Sequence, residues 1–533
     1  MTSDVLVRPL DRSSLKSQDR SRPMSLNSRA GPLRHALIPL VIALIALPAI
    51  VLRVWQIDAL GVNSDEAVYA GQAASLAGDP SLSPYFPIFR AHPLLFQALL
   101  SIPYHLWGVS SLVGRLLAAA FGLGTIIVIY YTARLMYGVR VGIIAALISA
   151  VMPYLVIVNR QILLDGPMMF FATVALYLMA RFAHTERPVW LYASASALGL
   201  TFLAKETSIL LLGGVYAFLA LTHTITVRLR HIFLATGLYF AIILVYPLAV
   251  SLSGASSTGR NFLVWQLLRR ANHSWLFYPS VLPMALGIPV IVAAAAGLWF
   301  LRRTSSWRES LLVWWIAGPA IFFEIWAVKG YQYLLPLAAP VAVLAARALC
   351  AIPAGKVGVN RSRVPRYALF ILATALTISW LTVSSIVKIA PGNAGDSFLA
   401  GTGGVPGGRQ TGDWIDANTP RESEMLALGP SMANIIQFYG HRKTYGLSVS
   451  PNPLHRNPVY EPVDNPDLRI RHNDLQYIVW DSFTAQRSPF FEENLMKYVK
   501  RYHGEAVHTE FVNVSTPSGP IQKPVIVIYK VRP

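Results

Sequence analysis

About eleven runs of predominantly apolar residues interrupt the first 390 positions, beginning near residues 35, 115, 141, 166, 189, 207, 231, 279, 310, 331 and 367. Each approaches the ~20 residues that carry a helix across the hydrocarbon of a bilayer. With 54% hydrophobic and only 13% charged residues in 533 positions, the chain must use lipid as its solvent, and a soluble globular fold is excluded. The predicted fold class is therefore an α-helical polytopic membrane protein. The run at His35 to Ile57 is longer than a signal-peptide core and is followed by no small-residue cleavage site, so it is expected to remain as a first span.

The formal net charge of +19 could suggest nucleic acid, but its distribution argues otherwise. Residues 391–533 hold 14 basic and 14 acidic side chains, and residues 1–390 hold 31 basic and 12 acidic. The excess thus belongs to the membrane part, where it reflects retention of Lys and Arg on the cytoplasmic side. The same rule sets topology. His92 to Trp107 is apolar but short and contains Pro103 and His105. If it spanned, the loops bearing Arg134/Arg140, Arg181/Arg187, Arg228/Arg230, Arg302/Arg303/Arg308 and Lys356/Arg361/Arg363/Arg366 would all face outward. Lying at the outer interface, it leaves all five inside with the basic tail of residues 1–34, which reads as disordered. The expectation is an N-terminus inside, a C-terminus outside, and a plasma-membrane location.

This topology brings seven of the twelve acidic residues before position 391 to the outer face: Asp58, Asp65, Glu66, Asp79, Asp165, Glu206 and Glu324. Ionisable groups beside hydrocarbon are costly and commonly mark a functional cavity. The first outer loop, residues 58–114, is long enough for an ordered catalytic loop and carries Asp65-Glu66 in NSDEAVYAGQAASLAGD, a predicted amphipathic helix starting at Ser64 or Asp65. A carboxylate pair at a helix start can equally be a cap. Asp165 lies in the tight turn NRQILLDGPMM, where Arg160 could pair with it structurally. Lys205-Glu206 in FLAKETS and Lys329 in VKGYQYLLP fall at other outer turns, and the loop Ser251 to Tyr278 carries Arg260, Arg269, Arg270 and His273 without one acid. Outward cations suit a phosphate, as a departing group or in lipid headgroups. A sugar leaving from a phosphate diester needs fixed cations on the phosphate and a base for the acceptor hydroxyl, and no general acid.

In order, DEAVY, HPLL, GRLLAAAFG, RQILLDGPMMFF and KGYQYLLP resemble the GT-C membrane glycosyltransferases, with the protein O-mannosyltransferase and lipid A aminoarabinose transferase families nearest, over residues 35 to about 345. The resemblance implies an inverting transfer from a polyprenyl-phosphate sugar donor to a glycan, lipid or protein acceptor. It implies Asp65 as general base, with Asp165 the second family aspartate and Glu66 supporting substrate; which aspartate is the base stays open. His92 and Pro93 match an HPP element from which this chain departs at Leu94. Arg115 matches an arginine at the start of the second span, and Lys205 and Lys329 match positions near the donor phosphate. Tyr69, Arg160, Glu206, Arg260, Arg269 and Tyr331 complete the substrate-binding candidates. A repeat-containing lumenal insertion of the eukaryotic mannosyltransferases has no room here, so a protein acceptor is not implied, and mannose is only one candidate hexose. A transporter or lipid flippase would place charges near the midplane within internal repeats, which are not found. A non-catalytic glycan-binding scaffold would tolerate loss of both aspartates.

Residues 391–412 form a Gly/Pro-rich linker, and residues 413–533 alternate strand-like runs (EMLALG, LQYIVWD, EAVHTEFV, PVIVIYKV) with helical ones (SMANIIQFYG, PFFEENLMKYVKRY). A small extracytoplasmic α/β domain is predicted. Its Pro/Asn-rich segment GLSVSPNPLHRNPVYEPVDNPDLR either covers the site or merely packs. His92, His105, His441, His455, His472, His503 and His508 lack ligand spacing. A divalent ion held by carboxylates near Asp65 is conceivable and not demanded. Cys350 stands alone, so no intramolecular disulfide is available.

Overall fold

The computed structural model describes residues 32–90, 92–353, 363–390, 405–452, 456–457, 459–516 and 519–533. The basic tail up to residue 31, most of the Gly/Pro-rich linker and His455 lie outside the described residues. Two compact units result. The first, in its described residues 32–44, is helical from Pro32 onward. Ile45–Pro533 forms the second.

Every predicted apolar run falls on a helix. Among the described residues, six helices are long and apolar enough to cross a membrane: Ser111–Tyr137, Asp165–Thr185, Leu229–Leu252, Phe277–Phe300, Tyr331–Ala351 and Pro365–Ile389. The others fall on the shorter apolar helices Pro39–Val54, Val139–Val151, Pro188–Ala204 and Glu206–Leu221, and on Trp307–Ile325. The His92 to Trp107 segment is a 13-residue helix from Leu95. At 1.5 Å per residue it extends about 20 Å, too short for a hydrocarbon layer of ~30 Å. The chain is a multi-pass membrane protein.

Burial orders the bundle. In the most apolar 18 residues of Tyr331–Ala351, 94% are buried within the fold, whereas in those of Leu229–Leu252 and Pro365–Ile389 only 17% are, so these two present their apolar side chains outward, as lipid-facing helices do. Close approach comes from small residues. A Cβ on Gly214 would lie 2.5 Å from the Trp314 carbonyl oxygen, and Gly318 faces Gly214 in return, so the Leu210–Leu221 and Trp307–Ile325 helices touch backbone to backbone. Gly138, at φ +96°, makes the sharp reversal between Ser111–Tyr137 and Val139–Val151 in a conformation that disfavours any side chain.

The C-terminal portion is an α/β domain around a five-stranded sheet in the order β2-β1-β3-β5-β4. Strands β1 (Glu424–Ala427), β2 (Thr444–Gly446) and β3 (Leu475–Asp481) are parallel, and β4 (Glu505–Thr516) and β5 (Gly519–Lys530) form an antiparallel hairpin on the β3 edge. The period of two along β1 builds two cores. Met425 and Ala427 face Ile415, Ile435 and Ile436 of the Gly408–Asn418 and Pro430–Tyr439 helices. Leu426 and Leu428 face Leu495 and Val499 of the Pro489–Arg501 helix.

The domain is docked on the first loop by hydrogen bonds. Arg409 donates to the Asp58 carboxylate at 2.8 Å and to Ser111 Oγ at 3.0 Å. The Val62 amide donates to Tyr439 Oη at 3.0 Å, Asn434 Nδ2 to Ser64 Oγ at 3.0 Å, and Tyr85 Oη to the His441 carbonyl at 2.8 Å.

Candidate active site

The Ser64–Leu76 helix begins with a capping box built by Asn63 and Glu66. Asn63 Oδ1 accepts from the Glu66 amide at 2.9 Å and Glu66 Oε2 accepts from the Asn63 amide at 3.0 Å, satisfying two N–H groups that a helix start leaves unpaired. Glu66 does more. Its Oε1 accepts from Arg115 Nε at 2.8 Å and from the Ile162 amide at 3.0 Å, and its Oε2 from Arg115 Nη2 at 2.9 Å. Arg115 spends its remaining donors on the carbonyls of Ile57 (3.0 Å), Leu60 (2.6 Å) and Gly61 (2.9 Å). Both side chains are thus consumed in fixing the loop's entry to the helix.

Asp65 is one residue, and ~100° around the helix, away from Glu66. Its carboxylate makes no hydrogen bond or ion pair among the described residues and stays partly open to solvent. Members of two ion pairs, Lys205, Asp165 and His92, act on its charge. Lys205 Nζ lies 2.8 Å from both Asp165 oxygens, and His92 Nδ1 lies 3.0 Å from both Glu206 oxygens. Aromatic rings close the surroundings: Tyr69 and Phe262 meet His92 edge-on at 6.0 and 5.3 Å, and Lys205 lies over the Tyr333 ring at 5.4 Å. Burial pushes the Asp65 carboxyl above the usual carboxylate range. Lys205 and His92 pull against that shift, while Asp165 and Glu66 add to it. For His92, burial disfavours the imidazolium, but the Glu206 charge and hydrogen bond outweigh it and raise the group above its usual value.

Tertiary structure assigns the other candidates different places. Asp165 does not pair with Arg160: its partner is Lys205, forty residues on. Arg160 turns instead to the carbonyls of Leu52 (2.9 Å) and Gln56 (3.3 Å), at and just beyond the end of the Pro39–Val54 helix, which need donors there. Lys329 is buried, donates to the carbonyls of Phe323 (3.2 Å) and Glu324 at the end of Trp307–Ile325, and lies 3.6 Å from the Glu324 carboxylate. Its ammonium also faces the rings of Trp275 and Tyr278. Tyr331 packs edge-on against Tyr154 at 4.9 Å, and its carbonyl accepts from the Tyr154 hydroxyl. Arg260 is exposed on the Ser256–Leu268 helix. Arg269 covers Trp265 at 4.6 Å and stands in the electrostatic field of Tyr333 and Tyr460.

Three participants were not singled out from the sequence. Tyr333 joins through KGYQYLLP. Tyr460, from the Pro/Asn-rich segment, stands within the field of Asp65, Arg90 and Arg269 and is hydrogen-bonded to Asn434. Arg90 holds that segment through the Val459 carbonyl at 2.9 Å. The segment's length was the only signal that it reaches the site. Among the described residues, no group of three or more His, Cys, Asp or Glu is arranged to hold a metal ion.

Residues 91–250 match the family model described as dolichyl-phosphate-mannose-protein mannosyltransferase. No match is found among curated protein sequences. Solved structures align over nearly the whole chain. ArnT from Cupriavidus metallidurans in the apo state is 15% identical with a TM-score of 0.66, covering 93% of this chain and 98% of that one. The same protein bound to undecaprenyl phosphate gives 0.63, with 92% and 98% covered at 15% identity. The archaeal oligosaccharyltransferase AglB from Archaeoglobus fulgidus, in complex with an inhibitory peptide and a dolichol-phosphate, is 14% identical with a TM-score of 0.55, covering 92% of this chain and 74% of that one. The chain has the fold of the GT-C membrane glycosyltransferases.

Proposed function

We propose that this chain transfers a sugar, a hexose such as mannose, from a polyprenyl-phosphate donor to an acceptor hydroxyl on the extracytoplasmic side of the membrane, with Asp65 as general base. One observation carries the reading: among the described residues the Asp65 carboxylate has no hydrogen-bond or ion-pair partner, and it stands in the electrostatic field of Lys205, His92 and Asp165. The match to the mannosyltransferase model over residues 91–250 and the undecaprenyl-phosphate complex of ArnT support the donor class.

In the proposed step Asp65 accepts the acceptor's hydroxyl proton as that oxygen attacks the anomeric carbon. The bond from that carbon to the phosphate oxygen breaks, and polyprenyl phosphate leaves with the electron pair. A single displacement inverts the anomeric centre. The carboxyl's raised affinity for a proton makes it a better base than an ordinary aspartate. Charge building on the departing phosphate is met by the Lys205 ammonium, the His92 imidazolium and Arg269. Asp165 and Glu206 hold the first two in place. Glu66 and Arg115 act as positioning residues that fix the helix bearing Asp65.

The test is incubation of the purified protein in nanodiscs with short-chain polyprenyl-phosphate mannose, glucose or arabinose, following release of polyprenyl phosphate. Release from one donor that rises on adding an extract of cell-envelope acceptors is the expected result. Absence of release from every donor under those conditions counts against the reading.

A further inference from the structure

The Asp65 carboxylate has no hydrogen bond of its own among the described residues, so it is placed by whatever holds the backbone around it. That backbone is gripped from two sides. The membrane part takes Asn63 and Glu66: Asn63 Nδ2 donates to Gln161 Oε1 at 2.9 Å, and Glu66 accepts from Arg115 and from the Ile162 amide. The C-terminal domain takes Val62 and Ser64: the Val62 amide donates to Tyr439 Oη at 3.0 Å, and Asn434 Nδ2 donates to Ser64 Oγ at 3.0 Å.

Both contacts of the C-terminal domain come from one helix, Pro430–Tyr439, whose two faces have different tasks. Met432, Ile435 and Ile436 enter the domain's own core. Asn434 and Phe438 are four residues apart, hence on one face, and that face belongs to the first outer loop. Phe438 joins the loop's core, edge-on to Phe86 at 6.5 Å, in the cluster that also contains Ala67 and Ala70 of the helix bearing Asp65. Apolar packing of this kind seats the helix but carries no direction. The hydrogen bond supplies it: Asn434 and Ser64 are 2% and 4% exposed, and a satisfied polar contact at that depth rigidifies what it joins.

We infer that the C-terminal domain is part of the catalytic apparatus, and that Asn434 is a positioning residue which, through Ser64, sets the Asp65 carboxylate against the acceptor hydroxyl. Its effect falls on turnover and not on donor binding, because Lys205, His92 and Arg269 are held by other partners. A reacting group misplaced by ~1 Å costs on the order of 10²-fold in rate. Loss of one anchor among several costs less, about tenfold. The inference rests on the transferase reading and assigns the domain's part in it.

The test compares full-length wild type, Asn434→Leu, Ser64→Ala, their double variant and Gln437→Met in nanodiscs, by donor turnover and by hydrogen exchange over residues 62–70. Gln437 lies on the same helix but donates to the Thr444 carbonyl at 2.8 Å inside the domain, so its loss weakens the domain without releasing Ser64. Asn434→Leu and Ser64→Ala are expected to lower kcat about tenfold with donor KM within about twofold of wild type. The double variant falls no further than the slower single one, because both changes remove the same bond, and Gln437→Met keeps the wild-type rate. Wild-type kcat in folded Asn434→Leu, multiplied losses in the double variant, or an equal loss in Gln437→Met overturns the inference. Exchange reads the placement without turnover: it is faster over residues 62–70 in Asn434→Leu and Ser64→Ala, but not in Gln437→Met, and unchanged exchange in the first two overturns the inference. Absence of transfer from any donor by wild type removes the transferase reading, and the exchange result then stands alone for or against the hold of Asn434 on the helix, so the two failures are distinguishable.

Discussion

Glu66 and Asp65 are neighbours in sequence with opposite fates: Glu66 accepts four hydrogen bonds, two of them from Arg115 at 2.8 and 2.9 Å, and Asp65 accepts none among the described residues. That asymmetry divides the site into a scaffold and a reactive group, and it makes the two carboxylates separable by mutation.

Glu66→Gln breaks a buried, charge-assisted clamp and leaves Arg115 only the longer, part-exposed carboxylate contact to Asp58 at 3.5 Å. A loss of about 3–5 kcal/mol of stability is expected, seen as a lower Tm in detergent and faster proteolysis within residues 58–77. Asp65→Asn should behave oppositely. Folding raises the Asp65 pKa above 3.8, so its carboxyl contributes to stability only at low pH and the contribution is lost as pH rises through the folded value. At neutral pH the amide therefore folds at least as well as the acid. A Tm for Asp65→Asn several degrees below wild type contradicts this.

Lys205 and Asp165 form a buried pair whose members compensate each other. Lys205→Met alone and Asp165→Leu alone should each cost about 3–5 kcal/mol, and the double variant should regain most of that stability. Sugar transfer should not recover in the double variant, because the phosphate loses its ammonium. Thermal unfolding and donor turnover of the four proteins check both halves.

A bell-shaped pH dependence is expected. The acidic limb follows deprotonation of Asp65 and lies above the ordinary value of 3.8. The alkaline limb follows loss of the His92 imidazolium and lies above 6.5, because Glu206 raises that group. The His92–Glu206 contribution to stability runs in the same sense, complete below about 6.5 and lost as pH rises through the folded value. His92→Gln should lower the maximal rate and remove the alkaline limb while leaving the acidic one in place.

Arg409 ties the C-terminal domain to Asp58 at 2.8 Å, with both side chains part-exposed. Arg409→Ala should therefore cost no more than about 1 kcal/mol in global stability. Hydrogen exchange at Leu60 to Val62 should nevertheless accelerate, since the same guanidinium also reaches the Leu60 carbonyl and Tyr439. Unchanged exchange there removes Arg409 from the docking.

Much of this architecture is legible in the sequence because it depends on local periodicity. The apolar runs fall on helices, the short His92 to Trp107 run is too short to cross, and the alternating C-terminal segments form the sheet. The pairing of charges is not local. Asp165 had Arg160 five residues away as a plausible partner, and only the approach of the next helix end brings Lys205 instead. The division between Asp65 and Glu66 was half visible: Asn63-x-x-Glu66 is a capping-box spacing, and starting the helix after Asn63 would have turned Glu66 toward the backbone. Nothing in the Pro/Asn-rich segment shows that Tyr460 comes within the electrostatic influence of Asp65, because the two are separated by almost four hundred residues.

The most direct test compares the single-turnover rate of polyprenyl-phosphate mannose, or whichever donor is accepted, in wild type and Asp65→Asn at saturating donor. A fall of about 10²- to 10⁴-fold, with donor affinity and Tm retained, is the predicted result for loss of a general base. An Asp65→Asn protein that transfers sugar at the wild-type rate contradicts the assignment of Asp65 and, with it, the central claim of the account.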